Sequence, residues 1–248
     1  MVAEPLYRKV VAGFEENDRG QDAVVLAKRI VARDGGELEV VHVEKGSPAD
    51  TLHALAERGD ADLVVLGSTH HAAFGSVAPG SVAEQLLHGA RCRLVIAPKG
   101  YSEEDHSQDR LRVVGVGYDG MAESQAALDE AATLARKFGA SMRVVGVMTP
   151  APPMGAAAAA QVGAEAGPDF QTRLHRAVAE LEPELRALPV VVKGDPVERL
   201  LEAAEMGLDL LVLGSRGFGP VMRLLIGSVS SRVIRGAPCP VMVVPRPG

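Results

Sequence analysis

Apolar residues fall along this chain in two alternating patterns: short β-branched runs, and longer stretches in which they recur every three or four positions. The second half shows the alternation most clearly. Arg112–Val116 is predicted as a strand, and Glu123–Phe138 as an amphipathic helix stopped by Gly139. Met142–Val147 is a second strand, followed by Met148–Pro168, whose Ala, Pro and Gly content neither holds a strand nor packs a core and is read as a loop. Phe170–Leu188 has helical spacing, with Pro183 expected to kink it or begin a new turn. Val190–Val192, Pro196–Met206, Leu210–Leu213, Ser228–Arg235 and Pro240–Val244 then complete the series as strand, helix, strand, helix, strand. Strands alternating with helices predict parallel pairing, right-handed crossovers and a doubly wound α/β sheet of order 3-2-1-4-5.

The first half repeats this plan with a piece missing. Asp62-Leu63-Val64-Val65-Leu66-Gly67-Ser68 recurs as Asp209-Leu210-Leu211-Val212-Leu213-Gly214-Ser215 at an offset of 147, which also relates Gly80-Ser81-Val82 to Gly227-Ser228-Val229 and Cys92 to Cys239. Nearer the front, Gly13-Phe14-Glu15 matches Gly117-Tyr118-Asp119 at an offset of only 104, whereas Gly46-Ser47-Pro48 matches Gly194-Asp195-Pro196 at 148. The first repeat therefore lacks 44 residues, 148 minus 104, between Val43 and Gly46. That length corresponds to one helix and the third strand, an edge strand in this order, so the central pairing survives. Its second strand, Leu38–Val43, is expected to run directly into a helix beginning near Pro48, with altered pairing or a strand borrowed from the second repeat as alternatives. The expected organisation is a truncated repeat over residues 1–100, a linker at 101–109 and a complete repeat over 110–248.

Composition narrows the function. With 47% hydrophobic residues, no Trp and 3% aromatics, the core must be aliphatic, as parallel strands covered on both faces require. A formal charge of −6 argues against general binding to a nucleic-acid backbone. No signal-peptide pattern and no run of eighteen apolar residues is found, so a cytoplasmic, non-membrane protein is expected. Two cysteines make no disulfide framework and no metal spacing, and each reads as a small buried residue at a strand entrance.

The candidate chemistry lies at strand ends. Gly214-Ser215-Arg216-Gly217 is followed, nine residues later, by Gly227-Ser228-Val229-Ser230, giving the pattern G-x2-G-x9-G-S. Glycines where a strand leaves the sheet let backbone N–H groups approach an anion, and the second Gly-Ser opens a helix with two hydroxyl donors. The Gly-Lys-Ser/Thr ending of a P-loop is absent. Gly117-Tyr118-Asp119-Gly120 ends the first strand, at the crevice where connections from strands 1 and 4 diverge. There the Asp119 carboxylate can accept hydrogen bonds from a ribose or an adenine amine, or can cap the following helix. His70 and His71 have no third ligand nearby and read as loop residues, and no acid–base pair or nucleophile constellation stands out.

The tandem repeat, Asp119, Gly194-Asp195-Pro196, the Asp209–Gly217 segment and the G-x2-G-x9-G-S spacing together resemble the universal stress protein family, whose ATP-binding members use this glycine pattern. The resemblance covers nearly all of the second repeat and most of the first. It implies that Asp119 contacts adenine or ribose, that Gly117 belongs to the same nucleotide site, and that the backbone near Val147 lines the adenine pocket. It also implies that Gly214, Gly217, Gly227, Ser228, Val229 and Ser230 surround the phosphates of ATP, with or without Mg2+, and that Arg216 either approaches them or lies exposed. It further implies dimerisation, often through the fifth strand, as a homodimer or as a pseudo-dimer of the two repeats within one chain. In the first repeat His70 replaces the second glycine and Glu15 replaces Asp119, so a degenerate site with weak or no nucleotide binding is expected. The leading reading is a nucleotide-binding regulatory protein of the stress response; the alternatives are a slow ATPase or phosphotransferase, and a nucleotide-independent interaction scaffold.

Overall fold

A computed structural model of the chain describes residues 4–14, 18–42, 48–58, 60–69, 72–87, 92–104, 111–149, 168–215 and 227–245. In the first repeat β1 (Lys9–Phe14), α1 (Asp18–Asp34), β2 (Glu37–His42), α2 (Pro48–Arg58), β3 (Leu63–Gly67), α3 (Ser81–Leu87) and β4 (Arg93–Ala97) follow in order. The second contains β5 (Val113–Gly117), α4 (Ala122–Phe138), β6 (Ser141–Met148), α5 (Pro168–Ala179), β7 (Leu188–Lys193), α6 (Pro196–Glu205), β8 (Leu210–Gly214), α7 (Ser228–Ile234) and β9 (Val241–Val244). The expected loop at 148–168 lies almost wholly outside the described residues.

The two repeats share one nine-stranded sheet, β2-β1-β3-β4-β9-β8-β5-β6-β7. Every neighbouring pair is parallel except β4 and β9, the last strands of the repeats, which run antiparallel with Val95 opposite Met242. The second repeat thus has the order 3-2-1-4-5, and the first has 2-1-4-5. Strands β2 and β7 form the two edges, β2 being paired with β1 from Lys9↔Glu37 to Phe14↔His42. The join is the fifth-strand pairing of a pseudo-dimer, made within the chain.

Helices cover both faces, which is why β3, β8 and β9 read as unbroken apolar runs with buried side chains. One core packs α1, α4 and α5 against the sheet through residues such as Leu26, Ile30, Leu128, Leu134 and Leu174. The opposite core packs α2, α3, α6 and α7 through Leu52, Leu86, Leu200 and Val233. Helix α4 stops at Gly139, which takes the left-handed conformation (φ 67°) while Ala140 N donates back to Ala135 O.

Two boundaries differ from the expectation. The helix predicted over Phe170–Leu188 ends at Ala179; Pro183 starts a separate 3-10 turn to Leu185, because proline supplies no N–H and its ring clashes with a continuing helix. The third strand is longer than Val190–Val192 and includes Pro189, tolerated because β7 is an edge strand. The segment expected as a linker begins as packed structure. Tyr101–Glu103 forms a turn on α1, where the fully buried Asp22 carboxylate accepts from Gly100 N (3.0 Å), Ser102 N (2.7 Å) and Ser102 Oγ (2.7 Å), and Arg29 donates to the Tyr101 hydroxyl. A second polar cluster joins the repeats: buried Glu130 of α4 accepts from the Tyr7 hydroxyl and pairs with Arg93 Nη2 at 2.7 Å, while the guanidinium lies over the Tyr7 ring.

Candidate functional site

The strand ends of the second repeat build a crevice from backbone. Strand β5 stops at Gly117, opposite Val145, and Tyr118 N donates to Val145 O at 2.9 Å. Alternate residues of a strand turn their N–H and C=O groups to opposite neighbours. Val145 therefore faces β5, and Met148, which accepts from Gly194 N at 3.1 Å, faces the β7 side. Val147 shares the orientation of Val145, two residues further on, where β5 has already ended. Its donor and acceptor thus point into the space beyond Gly117, beside Asp119, an arrangement matched to the paired acceptor and donor of a purine edge.

Asp119 is exposed and does not cap α4. The cap position belongs to Met121, which makes no side-chain cap bond; Asp119 Oδ1 instead accepts from Met121 N (3.0 Å), and Asp119 N donates to Ser124 Oγ (3.2 Å). The helix-cap alternative is corrected accordingly: three residues, Tyr118, Asp119 and the left-handed Gly120 (φ 81°), separate the end of the strand at Gly117 from the cap, and they hold the carboxylate at the crevice in a local turn.

Gly214 is required by packing. A Cβ there would stand 2.3 Å from the Glu123 carbonyl oxygen, so glycine lets the first turn of α4 lie against the end of β8. Ser230 Oγ donates to Gly214 O at 3.2 Å, drawing the start of α7 to the same strand end, and Gly227 leads into that helix with no side chain capping it. Because β8 and β5 are neighbours, Gly117, Asp119, Gly214 and Gly227–Ser230 share one edge of the sheet with Val147 one strand away. Arg216 and Gly217 lie outside the described residues, as do Glu15, His70 and His71.

The corresponding loop of the first repeat is closed on itself. Thr69 N donates to Ala78 O, Ala72 N to Thr69 O, Gly75 N to Lys99 O, Ser76 N to Ala73 O and Val77 N to Ala237 O of the second repeat, while Ala78 N donates to Ser68 Oγ. These described amides of the loop are spent inside the fold. Near the strand ends, Phe14 and His42 meet edge to face at 4.9 Å; His42 stands where the second repeat has Gly146.

Ser68 and its twin Ser215 were not distinguished by sequence reasoning, although their offset marks them as equivalent. Both are buried, but Ser68 Oγ donates to Ala97 O (2.7 Å) and accepts from Ala78 N (3.1 Å), whereas Ser215 Oγ has no partner among the described residues. Elsewhere, burial pushes both the Cys92 and Cys239 thiols up to about 12, which keeps them protonated and unreactive. Among the described residues no group of three His, Cys, Asp or Glu could hold a metal ion, and no helix is long and apolar enough to cross a membrane.

A sequence model described as "Universal stress protein family" matches residues 2–98 and again 110–245. The chain is 30% identical to a universal stress protein of Mycobacterium tuberculosis (strain H37Rv), over 88% of this chain and 77% of the relative. It is 31% identical to one from Mycolicibacterium smegmatis, over 98% and 81%. Among solved structures, a universal stress protein from Archaeoglobus fulgidus superposes with a TM-score of 0.65 at 18% identity, covering 96% of both chains. One from Pseudomonas aeruginosa UCBPP-PA14, described as putative, gives 0.68 at 13% identity over 97% and 94%. At these identities the two structures speak for the fold.

Proposed function

The chain belongs to the universal stress protein family, with both repeats matched, and from that premise we propose that its second repeat binds an adenine nucleotide, ATP in the first instance, as a regulatory ligand. The observation that carries the reading is the set of strand ends gathered in the second repeat. There the Val147 backbone faces the space left by the end of β5, next to Asp119, with Gly214 and the uncapped start of α7 on the same edge. In the first, described amides of the loop between Thr69 and Ala78 donate to groups within the fold.

In this proposal the Val147 N–H and C=O take the adenine edge, and Asp119 takes the ribose or the adenine amine. Gly117 ends β5 beside the base, its missing Cβ making room for Leu213 Cδ2, which a Cβ would meet at 2.9 Å, and Gly214, Arg216, Gly217, Gly227, Ser228, Val229 and Ser230 surround the phosphates, with Mg2+ able to accompany ATP. Nucleotide shifts the population between two states of the chain through its different contacts to each. The first repeat serves as the structural partner across β4 and β9.

Isothermal titration with ATP and Mg2+ tests this, alongside Gly217→Glu, which brings a side chain and a negative charge to the phosphate position. One site per chain, lost in the variant, is the expected result. A heat-silent titration with no thermal shift in millimolar ATP would refute it, since a ligand that binds the native state must raise its stability.

A further inference from the structure

We propose that two copies of this chain associate through the edge of β2, their β2 strands pairing antiparallel across a two-fold axis at Val40 to join two nine-stranded sheets into one; the inference does not rest on the nucleotide reading. The 44-residue deletion leaves β2 as a sheet edge. Glu37 N donates to Arg8 O at 2.8 Å, so Glu37, Glu39 and Val41 turn their main-chain groups to β1, and Leu38, Val40 and His42 turn theirs outward. No described strand receives them. At the equivalent positions of the second repeat, 104 residues on, Met142, Val144 and Gly146 face β7 and lie beneath α5. Val144 is fully buried there, whereas Val40 is 37% exposed, an apolar side chain beside an unpaired ladder.

The two edges of the sheet differ in a way that selects the partner. At the far edge Gly194 N donates to Met148 O, so Val190 and Val192 face β6 while Pro189, Val191 and Lys193 face out. Pro189 has no N–H to give, and proline and lysine are residues that guard an edge against pairing. Strand β2 has neither between Glu37 and His42. A contact of β2 with another copy's β7, which would propagate as an open fibre, is therefore blocked, and a contact of β2 with β2 closes on itself. The chain already joins its own repeats by antiparallel edge pairing, β4 against β9. The axis at Val40 engages all three outward residues with one another: Val40 pairs with its twin and Leu38 with His42, each pair exchanging two hydrogen bonds. Glu39, paired with Lys9 Nζ at 2.8 Å, then stands opposite Val41, whereas an axis at Glu39 would set that carboxylate against its twin.

Sedimentation equilibrium of the nucleotide-free chain from about 1 to 300 μM tests this, since a strand edge buries less than a standard interface and should give a dimer of micromolar Kd. Val40→Lys places like charges opposite each other on the axis, and Val40→Pro removes an outward N–H but no bond to β1. Each should weaken the dimer about 10-fold or more, with circular dichroism and melting confirming that the variants fold. Independently of either, Val40→Cys should give a covalent dimer with a short bis-maleimide, while Met206→Cys, 70% exposed just past α6, should give little; the native Cys92 and Cys239 are buried. A wild-type chain that stays monomeric throughout overturns the inference and leaves the edge to an extended segment of another protein. A dimer that Val40→Lys leaves intact and Val40→Cys fails to cross-link also overturns it, because it forms through another surface.

Discussion

Replacing each of the twin serines by alanine, in separate variants without nucleotide, should give opposite outcomes from one and the same chemical change. Ser68 is buried, and its hydroxyl satisfies Ala97 O at 2.7 Å and Ala78 N at 3.1 Å. Ser68→Ala deletes both bonds and strips partners from two main-chain groups, each worth about 1–3 kcal/mol when left unsatisfied and buried. A net loss of about 2 kcal/mol is expected, because Ala78 is near the surface of its loop and can recover water. Ser215 is equally buried, but its hydroxyl has no partner among the described residues. Ser215→Ala therefore removes a desolvated hydroxyl and no bond to a described residue, so the change should stay within about 0.5 kcal/mol of wild type or be slightly stabilising. For a chain of this size 2 kcal/mol corresponds to a drop of about 4–8 °C in Tm. Urea unfolding followed by circular dichroism reads the difference as a shift in midpoint at constant m-value. Equal losses in the two variants would refute the reasoning, as would a neutral Ser68→Ala, since either result means that the hydroxyls are bonded alike.

Gly214→Ala should destabilise the second repeat by about 1–3 kcal/mol even without ligand, because the new methyl meets main chain of α4 at 2.3 Å; a melt of the unliganded variant checks it. Glu130→Ala should cost about 3 kcal/mol or more, leaving Tyr7 and Arg93 without their shared carboxylate between the repeats, and Glu130→Gln should cost less; denaturant midpoints decide. Cys92 and Cys239 should resist a thiol reagent at pH 8 in the native chain and react on unfolding. Their folded-state pKa values of about 12 lie above the ordinary 9, so the native state holds its protons longer than the unfolded chain does. Stability should be indifferent to these thiols below pH 9 and fall by about 1.4 kcal/mol per pH unit for each of them between 9 and 12, which a pH series of melts on Cys→Ala variants isolates.

Local periodicity and internal repetition were enough to read most elements, the doubly wound class and the missing piece of the first repeat, because the identity of a strand or helix is written in residues a few positions apart. The glycine pattern and Asp119 were legible for the same reason: they sit at fixed distances from strand ends. Sequence alone could not say whether Asp119 caps α4 or stands before it, since both fit the same spacing and only the backbone path through Gly120 separates them. Nor could it assign Gly214 to packing against Glu123, or show that Ser68 is bonded while Ser215 has no partner among the described residues, because each depends on groups distant in sequence. The antiparallel meeting of β4 with β9 and the Tyr7–Glu130–Arg93 cluster belong to the tertiary structure for one physical reason. They arise from how whole elements orient against one another, which is settled by burying two faces of a common sheet and leaves no periodic trace in any single segment.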